Sequence, residues 1–368
     1  MTIAIIGTRG YPYVYSGYET FAKELSERLV AKGVRVKIYC HKNLFTTYPP
    51  QVNGIDLVYV PTIEHKILSQ FIHSFFSMVH ACCTKTDFIL AVNAANGPWG
   101  LIAKIFRKPA CINVDGMEWE RPKWKGLGGK YFYYSAWLAT KLYPVIITDA
   151  EEMRKIYLET FHTDSKVIAY GANIRYSKHP EKITELGLVS GDYYLIVGRL
   201  IPDNHAELII DGYLKAGSGK KLVIVGDVPY KDAYASRVKE KANKNIIFLG
   251  YIKDADLLAE LYHQCFAYLH GHAFGGTNPS LLKALAYGCA VMAINTRFSQ
   301  EMLAEGKYGL FFQPDADSIA ALMQESEATP DKLTHFREIA REGLGIKYNW
   351  DEVTNSYLAV LNELNLGR

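Results

Sequence analysis

The stretch from Gly275 to Gly288, with the sequence GGTNPSLLKALAYG, joins a glycine-rich loop to a short, well-bounded helix. The apolar run Cys265–Leu269 precedes the loop and has the length of a strand. Asn278 is favoured as the residue before a helix, Pro279 suits the first helical position, and Gly288 allows the left-handed turn that ends a helix. The stretch therefore predicts one strand, loop and helix of a parallel α/β unit.

The start of this helix has the features of an anion-binding site. Its free N–H groups and positive dipole end face Gly275, Gly276 and Thr277, and the missing glycine side chains let a phosphate approach the backbone. A nucleoside diphosphate fits this description, and so does an ordinary loop-to-helix junction with no ligand. Features elsewhere in the sequence are needed to distinguish these two interpretations.

Length and composition predict a globular protein of two domains. The 368 residues are 49% hydrophobic and 21% charged, which is enough apolar sequence for two buried cores. A net charge of +3 is too small for a nucleic-acid footprint, and the six cysteines show no metal-ligand spacing. We therefore expect no nucleic-acid partner. The sequence shows no secretion signal and no run of membrane-spanning length, which predicts a cytoplasmic protein.

Two halves of the chain repeat the same order of apolar strand, loop and amphipathic helix. This pattern predicts an α/β fold of two Rossmann-like domains, residues 1–171 and 172–345, that face each other across a cleft holding the ligands. A C-terminal helix within 346–368 is expected to cross back to the first domain. The predicted strands are Ile3–Ile6, Val34–Cys40, Leu57–Val60, Phe88–Val92, Ala110–Val114, Val145–Thr148, Lys166–Ala169, Tyr193–Val197, Leu222–Val225, Ile246–Leu249, Phe266–Leu269 and Val291–Ile294. The predicted helices include Gly17–Lys32, Ala206–Lys215, Asp232–Ala242, Asp254–His263 and Trp350–Leu364.

A second phosphate-capable loop follows the first strand, at Gly7–Pro12. It lacks the spacing of both G-x-G-x-x-G and the P-loop, which argues against a nicotinamide dehydrogenase and against an ATPase. Ser16 and Glu19 have the spacing of a capping box, which explains both residues without a ligand. For Gly17 we expect close approach of the backbone to a ligand.

Four separated motifs resemble those of the retaining glycosyltransferases of the GT-B fold, and the match runs in order through essentially the whole chain. Within that fold the chain is most similar to bacterial rhamnosyltransferase-like enzymes of cell-surface polysaccharide assembly. The motifs are Gly7–Pro12 with Ser16–Phe21, then Asp115–Trp124, Gly198–Asn204 and Gly276–Ser280.

The resemblance implies transfer of a sugar from a nucleotide-diphosphate donor to a glycan or lipid-linked acceptor, without a metal or other cofactor. Helix N-termini and basic side chains would stabilise the departing diphosphate. Deoxythymidine-diphosphate rhamnose is the expected donor, and a UDP- or GDP-sugar is the alternative. Arg199 would pair with the diphosphate, whereas the lysine that usually follows it is replaced by Asn204 and His205. The implied donor-binding residues are Gly17, Arg199, Tyr251, Gly275, Gly276, Thr277, Asn278 and Lys283.

The acceptor side is expected around Asp115, which follows the Ala110–Val114 strand at its carboxyl end. By resemblance Asp115 would contact the acceptor or the transferred sugar, or act as a base; the alternative is a cap or turn aspartate. The implied acceptor-side residues are Arg9, Asp115, Glu118 and Trp119, and the implied catalytic residues are Asp115, Arg199 and Lys283. Lys and Arg alternate with Trp and Tyr between Trp119 and Tyr143, a composition suited to carbohydrate stacking, to peripheral contact with the inner face of a membrane, or to a solvated helix face.

Lys283 is the main departure from the family, which usually has a ribose-binding glutamate there; a second glutamate of the wider superfamily is replaced by Gly275. A cation near a helix N-terminus is unfavourable unless an anion lies nearby. Lys283 therefore indicates contact with a diphosphate, weakened donor binding or lost activity. The last case would make the chain a glycosyltransferase-like binding protein, and a nucleotide-sugar epimerase is a further alternative. Two Asp-x-Asp pairs, at Asp254 and Asp315, precede helices and are interpreted as caps, so no metal site is predicted.

Overall fold

The computed structural model describes residues 1–12, 17–63, 68–121, 124, 126–228 and 231–366. Contacts divide the chain into two compact units. The first unit comprises Met1–Gly171, Gly275–Thr277 and Lys347–Arg368, and the second comprises Ala172–Phe274 and Asn278–Ile346. No helix within the described ranges is both long enough and apolar enough to cross a bilayer.

The first unit is built on an eight-stranded sheet with the order β3-β4-β2-β1-β5-β6-β7-β8. Neighbouring strands of this sheet pair in parallel, except for β3 and β4, which pair antiparallel. The central strands are continuous apolar runs because helices cover both faces of the sheet; every residue of Phe88–Val92 and Ala110–Val114 is buried. The strands are β1 (Thr2–Ile6), β2 (Arg35–His41), β3 (Gln51–Val52), β4 (Ile55–Val60), β5 (Phe88–Val92), β6 (Ala110–Val114), β7 (Val145–Thr148) and β8 (Lys166–Val167).

Five helices follow these strands, and a C-terminal helix joins them. They are α1 (Gly17–Ala31), α2 (Leu68–Cys83), α3 (Gly100–Ile105), α4 (Leu127–Leu142), α5 (Glu151–Phe161) and the C-terminal α13 (Trp350–Leu366). Helix α13 packs on α1 through aromatic rings, with the Phe21 and Tyr357 centroids 5.4 Å apart. Asn113 Nδ2 also donates to the Tyr357 hydroxyl over 2.8 Å. The C-terminal segment is thus part of the core of the first unit.

The second unit has a six-stranded, wholly parallel sheet with the order β11-β10-β9-β12-β13-β14. Its core lies between this sheet and the surrounding helices. The strands are β9 (Tyr193–Val197), β10 (Lys221–Val225), β11 (Ile246–Gly250), β12 (Ala267–His270), β13 (Val291–Ile294) and β14 (Leu310–Phe312). The helices are α6 (Ala206–Ala216), α7 (Ala233–Lys239), α8 (Ala255–Gln264), α9 (Pro279–Ala286), α10 (Arg297–Met302), α11 (Ala316–Ala328) and α12 (Pro330–Ile339).

The predicted strands all exist, with ends that differ by three residues or fewer. Two short strands, β3 and β14, were not predicted because two or three residues are too few to show a period. The predicted helix Asp232–Ala242 is too long, since α7 ends at Lys239. A turn follows there, in which the Asn243 side chain accepts the N–H groups of Asn245 and Ile246.

In each sheet, the direction in which successive strands are added reverses at one point. In the first sheet this point lies between β1 and β5, and in the second it lies between β9 and β12. The loops after two such neighbouring strands diverge to opposite sides, which leaves room for a ligand at the carboxyl edge of the sheet. The carboxyl edges of the two sheets are therefore the candidate ligand sites.

Candidate functional site

At the carboxyl edge of the second sheet, the loops after β9 and β12 contact each other closely. A Cβ atom on Gly271 would lie 2.3 Å from the Asn204 carbonyl oxygen, so only glycine fits there. The Asn204 side chain joins the loops: its Nδ2 donates to the Arg199 carbonyl over 2.8 Å, and its Oδ1 lies 2.7 Å from His272 Nδ1. Asn204 therefore shapes this loop and does not simply stand in for a missing lysine.

Arg199 lies two residues beyond the end of β9 and is exposed at this edge. Tyr251 follows β11 at the same edge of the sheet and is 69% exposed. Since β11 and β9 are separated by β10, their axes are about 10 Å apart. The edge thus presents a cation at one strand and an open aromatic ring two strands away, which suits an extended ligand with an anionic end and a planar end.

The sequence prediction for α9 is confirmed in detail. The Asn278 side chain accepts the N–H groups of Ser280 and Leu281, over 2.9 and 3.4 Å. At the other end, Gly288 has a φ of +75° and its N–H donates to the Leu285 carbonyl over 3.0 Å. The cap and the glycine stop are therefore those that the residue types require.

The electrostatic argument about Lys283 is wrong. Helix α9 has eight residues, and Lys283 is the fifth, so it lies in the last turn and not in the first. The dipole of a helix favours a cation in its last turn. Lys283 is half-buried, whereas the neighbouring Leu281, Leu282 and Leu285 are fully buried. A lysine at this position consequently needs no anion to explain it.

The glycine loop before α9 contacts an internal carboxylate that the sequence analysis missed. Asp149 follows β7 and is buried, and its Oδ2 accepts the Thr277 N–H over 2.8 Å. The Thr277 hydroxyl donates to the Asp149 carbonyl oxygen. A Cβ atom on Gly276 would lie 1.9 Å from Asp149 Oδ1, so the glycine is needed for this contact. The glycine loop therefore contacts a carboxyl group of the chain itself.

Asp115 lies at the carboxyl edge of the first sheet, directly after β6, and two tyrosine hydroxyls hold its carboxylate. Tyr170 donates to Oδ2 over 2.6 Å, and Tyr18 donates to Oδ1. Asn93, which follows β5, donates in turn to the Tyr18 hydroxyl over 2.8 Å. The short 3-10 helix that follows Asp115 has Met117 as its preceding residue, so Asp115 is not its cap.

Burial raises the pKa of Asp115 to about 7, and the nearby charge of Glu118 adds to the rise. The Tyr170 hydrogen bond and the positive charge of Arg121 oppose it without cancelling it. A carboxyl group with this pKa is divided between its charged and neutral forms near neutral pH. Perturbed carboxyl groups at a strand end are typical of functional sites.

The other predicted acceptor-side residues lie in separate environments of the first unit. Glu118 is buried and pairs with Arg121 Nε over 3.0 Å. Trp119 packs edge-on against Phe161, with centroids 5.7 Å apart, inside an aromatic cluster. The Arg9 backbone N–H donates to the buried Glu19 carboxylate over 3.0 Å. The capping box predicted for Ser16 and Glu19 is not tested, because Ser16 lies outside the described residues.

Three further features bear on the sequence predictions. Gly17 is the first residue of α1, at the edge where β1 ends. Asp254 and Asp315 accept backbone N–H groups at the starts of α8 and α11, which confirms their interpretation as caps. Among described positions, no group of three or more His, Cys, Asp or Glu is arranged to hold a metal ion.

Residues 163–343 match the family model of the glycosyl transferases group 1, and residues 1–173 match a domain of unknown function, DUF1972. The solved structure of sucrose-phosphate synthase from Thermosynechococcus elongatus superposes with a TM-score of 0.85 at 16% identity, covering 100% of both chains. The chain has the GT-B fold. The Anabaena protein Alr3699/HepE, solved with UDP and glucose, shares this GT-B architecture with a TM-score of 0.79 and 15% identity, covering 99% of this chain and 100% of its own.

Two curated relatives match part of this GT-B chain. One is the N-acetylgalactosamine-N,N'-diacetylbacillosaminyl-diphospho-undecaprenol 4-alpha-N-acetylgalactosaminyltransferase of Campylobacter jejuni, 24% identical over 143 residues, which are 38% of each protein. The other is the alpha-monoglucosyldiacylglycerol synthase of Streptococcus pneumoniae, 22% identical over 201 residues, which are 50% of this chain and 45% of the relative. The match thus spans less than half the length of each relative.

Proposed function

We propose that the protein is a glycosyltransferase that moves a sugar from a nucleotide-diphosphate donor to a lipid-linked or glycan acceptor. The group 1 glycosyltransferase match over residues 163–343 is the observation that carries this proposal. It coincides with the second unit, whose sheet edge presents Arg199 and Tyr251. The UDP in the Anabaena neighbour and the lipid-linked acceptor in the name of the Campylobacter relative support the two substrate classes.

The donor is proposed to bind at the carboxyl edge of the second sheet. Arg199 pairs with the diphosphate and stabilises the charge that develops as the bond to the anomeric carbon breaks. Tyr251 offers a face for the nucleobase. Asn278 and Lys283 complete the donor side, with Lys283 placed as a second cation on α9. Gly17, Gly275, Gly276 and Thr277 remain predicted donor-side residues, although Thr277 already donates to Asp149.

The acceptor is proposed to bind near Asp115 in the first unit, and Arg9, Glu118 and Trp119 remain predicted acceptor-side residues. A carboxyl group with a pKa of about 7 can accept a hydrogen bond from an acceptor hydroxyl in its charged form and donate one in its neutral form. Transfer with retention forms the new glycosidic bond as the diphosphate leaves, and a departing phosphate oxygen takes the acceptor proton. Asp115 then orients the acceptor, and no metal is required for the proposed steps.

The proposed donor is deoxythymidine-diphosphate rhamnose, and a UDP- or GDP-sugar is the alternative. A deoxyribose has one hydroxyl fewer, so this donor loses less when the ribose-binding glutamate is replaced by Lys283. The test is release of nucleoside diphosphate from each donor, with and without a lipid extract as acceptor. Release that depends on the extract is expected for a transferase. Turnover without acceptor would instead identify an epimerase, and tight binding with no turnover of any donor would identify a binding protein.

A further inference from the structure

Helices α2, α3 and α4 of the first unit carry no acidic residue. Between residues 68 and 148 the sequence has nine Lys and Arg but only four Asp and Glu. Three of these four are held by the fold: Asp87 accepts the Thr2 N–H over 2.7 Å, Asp115 accepts from two tyrosines, and Glu118 pairs with Arg121. The helices themselves thus present three exposed lysines, Lys104, Lys130 and Lys141, and no acidic side chain.

The three helices adjoin one another through aromatic contacts. Phe71 and Phe75 of α2 pack on Trp99, which precedes α3, with centroid distances of 4.6 and 5.3 Å. Phe71 also lies 6.2 Å from Tyr131 of α4. Helices α2, α3 and α4 are therefore neighbours within the first unit.

Large apolar side chains on these outer sides are exposed. Ile105 and Leu101, one turn apart on α3, are 68% and 51% exposed, and Phe76 on α2 is 52% exposed. On α4 the residues Lys130, Tyr134, Trp137 and Lys141 follow helical spacing and are all exposed, so two lysines flank two aromatic rings along one stripe. We call the exposed residues Phe76, Leu101, Lys104, Ile105, Lys130, Tyr134, Trp137 and Lys141 the basic aromatic face.

We propose that the basic aromatic face docks onto an anionic lipid bilayer. Tyr and Trp rings and aliphatic side chains enter the boundary between headgroups and acyl chains, while lysines reach the phosphates of anionic lipids. A second copy of the chain is a poor occupant, because two identical faces would bring their positive charges together. Docking would bring the first unit to the membrane in which a lipid-linked acceptor lies. The proposal therefore rests on the proposed function, which assigns such an acceptor.

Vesicle co-sedimentation tests the proposal with the full chain. We expect binding to vesicles of phosphatidylcholine containing one-third phosphatidylglycerol and little binding to phosphatidylcholine alone. The double variant Leu101→Glu, Ile105→Glu should lose at least tenfold in affinity. Ile346→Glu is the matched control, since Ile346 is 77% exposed in the second unit. Equal binding to the two vesicle types, or no loss in the double variant, would overturn the proposal.

The charged part of the face has its own test. Lys130→Glu and Lys141→Glu should each weaken binding to anionic vesicles about fivefold, whereas Lys244→Glu, an exposed lysine of the second unit, should not. Sedimentation that shows a dimer broken by the Leu101→Glu, Ile105→Glu variant would mean that a second copy covers the face, and would overturn the proposal. UDP affinity separates this proposal from the proposed function: a wild-type protein that binds UDP but not anionic vesicles would defeat the membrane proposal alone, and the vesicle-binding variants should keep the UDP affinity of the wild type.

Discussion

Residues that are distant in the sequence hold the Asp115 side chain in place and bury it. Tyr170 and Tyr18 donate to its two oxygens from 55 and 97 residues away, and burial raises its pKa to about 7. The sequence predicted the position of Asp115 because a polar residue directly after a buried strand is a local signal. It could not predict the two tyrosines, since their meeting depends on the packing of distant elements.

The first prediction concerns Asp115→Asn. If Asp115 orients the acceptor, the variant should lose sugar transfer and keep near-normal nucleotide affinity, because the donor is assigned to other residues. Assays of transfer and calorimetry of nucleotide binding check this on one preparation. A folded variant with unchanged transfer, or with both properties lost together, would remove Asp115 from the proposed acceptor site.

The raised pKa also predicts a pH effect on stability. The folded protein keeps a proton on Asp115 up to a pH of about 7, whereas the unfolded chain releases it near pH 3.8, the ordinary pKa of an aspartate. The contribution of Asp115 to the free energy of unfolding is therefore full below about pH 4 and is lost as pH rises through 7. Asp115→Asn should flatten this part of the stability profile in urea titrations. An identical slope in both proteins between pH 4 and 7 would contradict the assignment.

Tyr170→Phe tests how far the Tyr170 hydrogen bond lowers the pKa of Asp115 against the effect of burial. The Tyr170 hydrogen bond lowers the pKa of Asp115, so its removal should move any pH dependence of transfer to higher pH. Tyr157→Phe is the control, since Tyr157 is equally buried in the same unit and its hydroxyl makes no hydrogen bond to Asp115 within the described residues. A pH profile that stays in place in Tyr170→Phe would show that the hydroxyl does not set this pKa.

At the scale of elements, the sequence predicted what local rules govern. The cap at Asn278, the first-turn proline and the stop at Gly288 are local, and the structure confirms them. The bounds of α9 were predicted correctly, but Lys283 was assigned to its positive end although it lies in the last turn. The partner of the glycine loop was also missed, because Asp149 lies 128 residues from Thr277.

The glycine loop gives a stability prediction. Gly276→Ala should lower the free energy of unfolding by more than about 1 kcal/mol, because its Cβ would lie 1.9 Å from Asp149 Oδ1. Gly219→Ala is the control, since a Cβ there meets no atom within 4 Å. Thermal unfolding with and without Asp149→Ala completes the cycle. If Asp149→Ala does not reduce the cost of Gly276→Ala, the close approach is not its source.

For Lys283 the corrected position reverses the expected effect of a glutamate. Lys283→Glu puts a negative charge in the last turn of α9 and should cost about 0.3–1 kcal/mol of stability. If Lys283 also faces the diphosphate, the same variant should weaken nucleotide binding more than Lys283→Gln does. Increased donor affinity in Lys283→Glu would instead support a restored ribose contact.

At the scale of the whole molecule, two parallel sheets follow from the repeated order of apolar strand and amphipathic helix. This repeated order can be recognised along the whole chain without knowing which residues contact each other. The GT-B fold could therefore be predicted, and the structural neighbours confirm it. The specific sugar and acceptor could not be predicted in the same way. They depend on a few side chains of the site, which can differ between proteins of one fold without changing that fold.

We propose that the carboxyl edge of the sheet in the second unit binds a nucleoside diphosphate. Calorimetry tests this when UDP and dTDP are titrated into the wild type and into Arg199→Ala. A charge-assisted contact contributes about 1.5–3 kcal/mol, so Arg199→Ala should weaken binding at least tenfold. Arg154→Ala, which removes an arginine paired with Glu151 and Asp164 in the first unit, should leave the affinity unchanged. Equal affinity of the wild type and a folded Arg199→Ala, or no binding of either nucleotide to the wild type, would contradict the account.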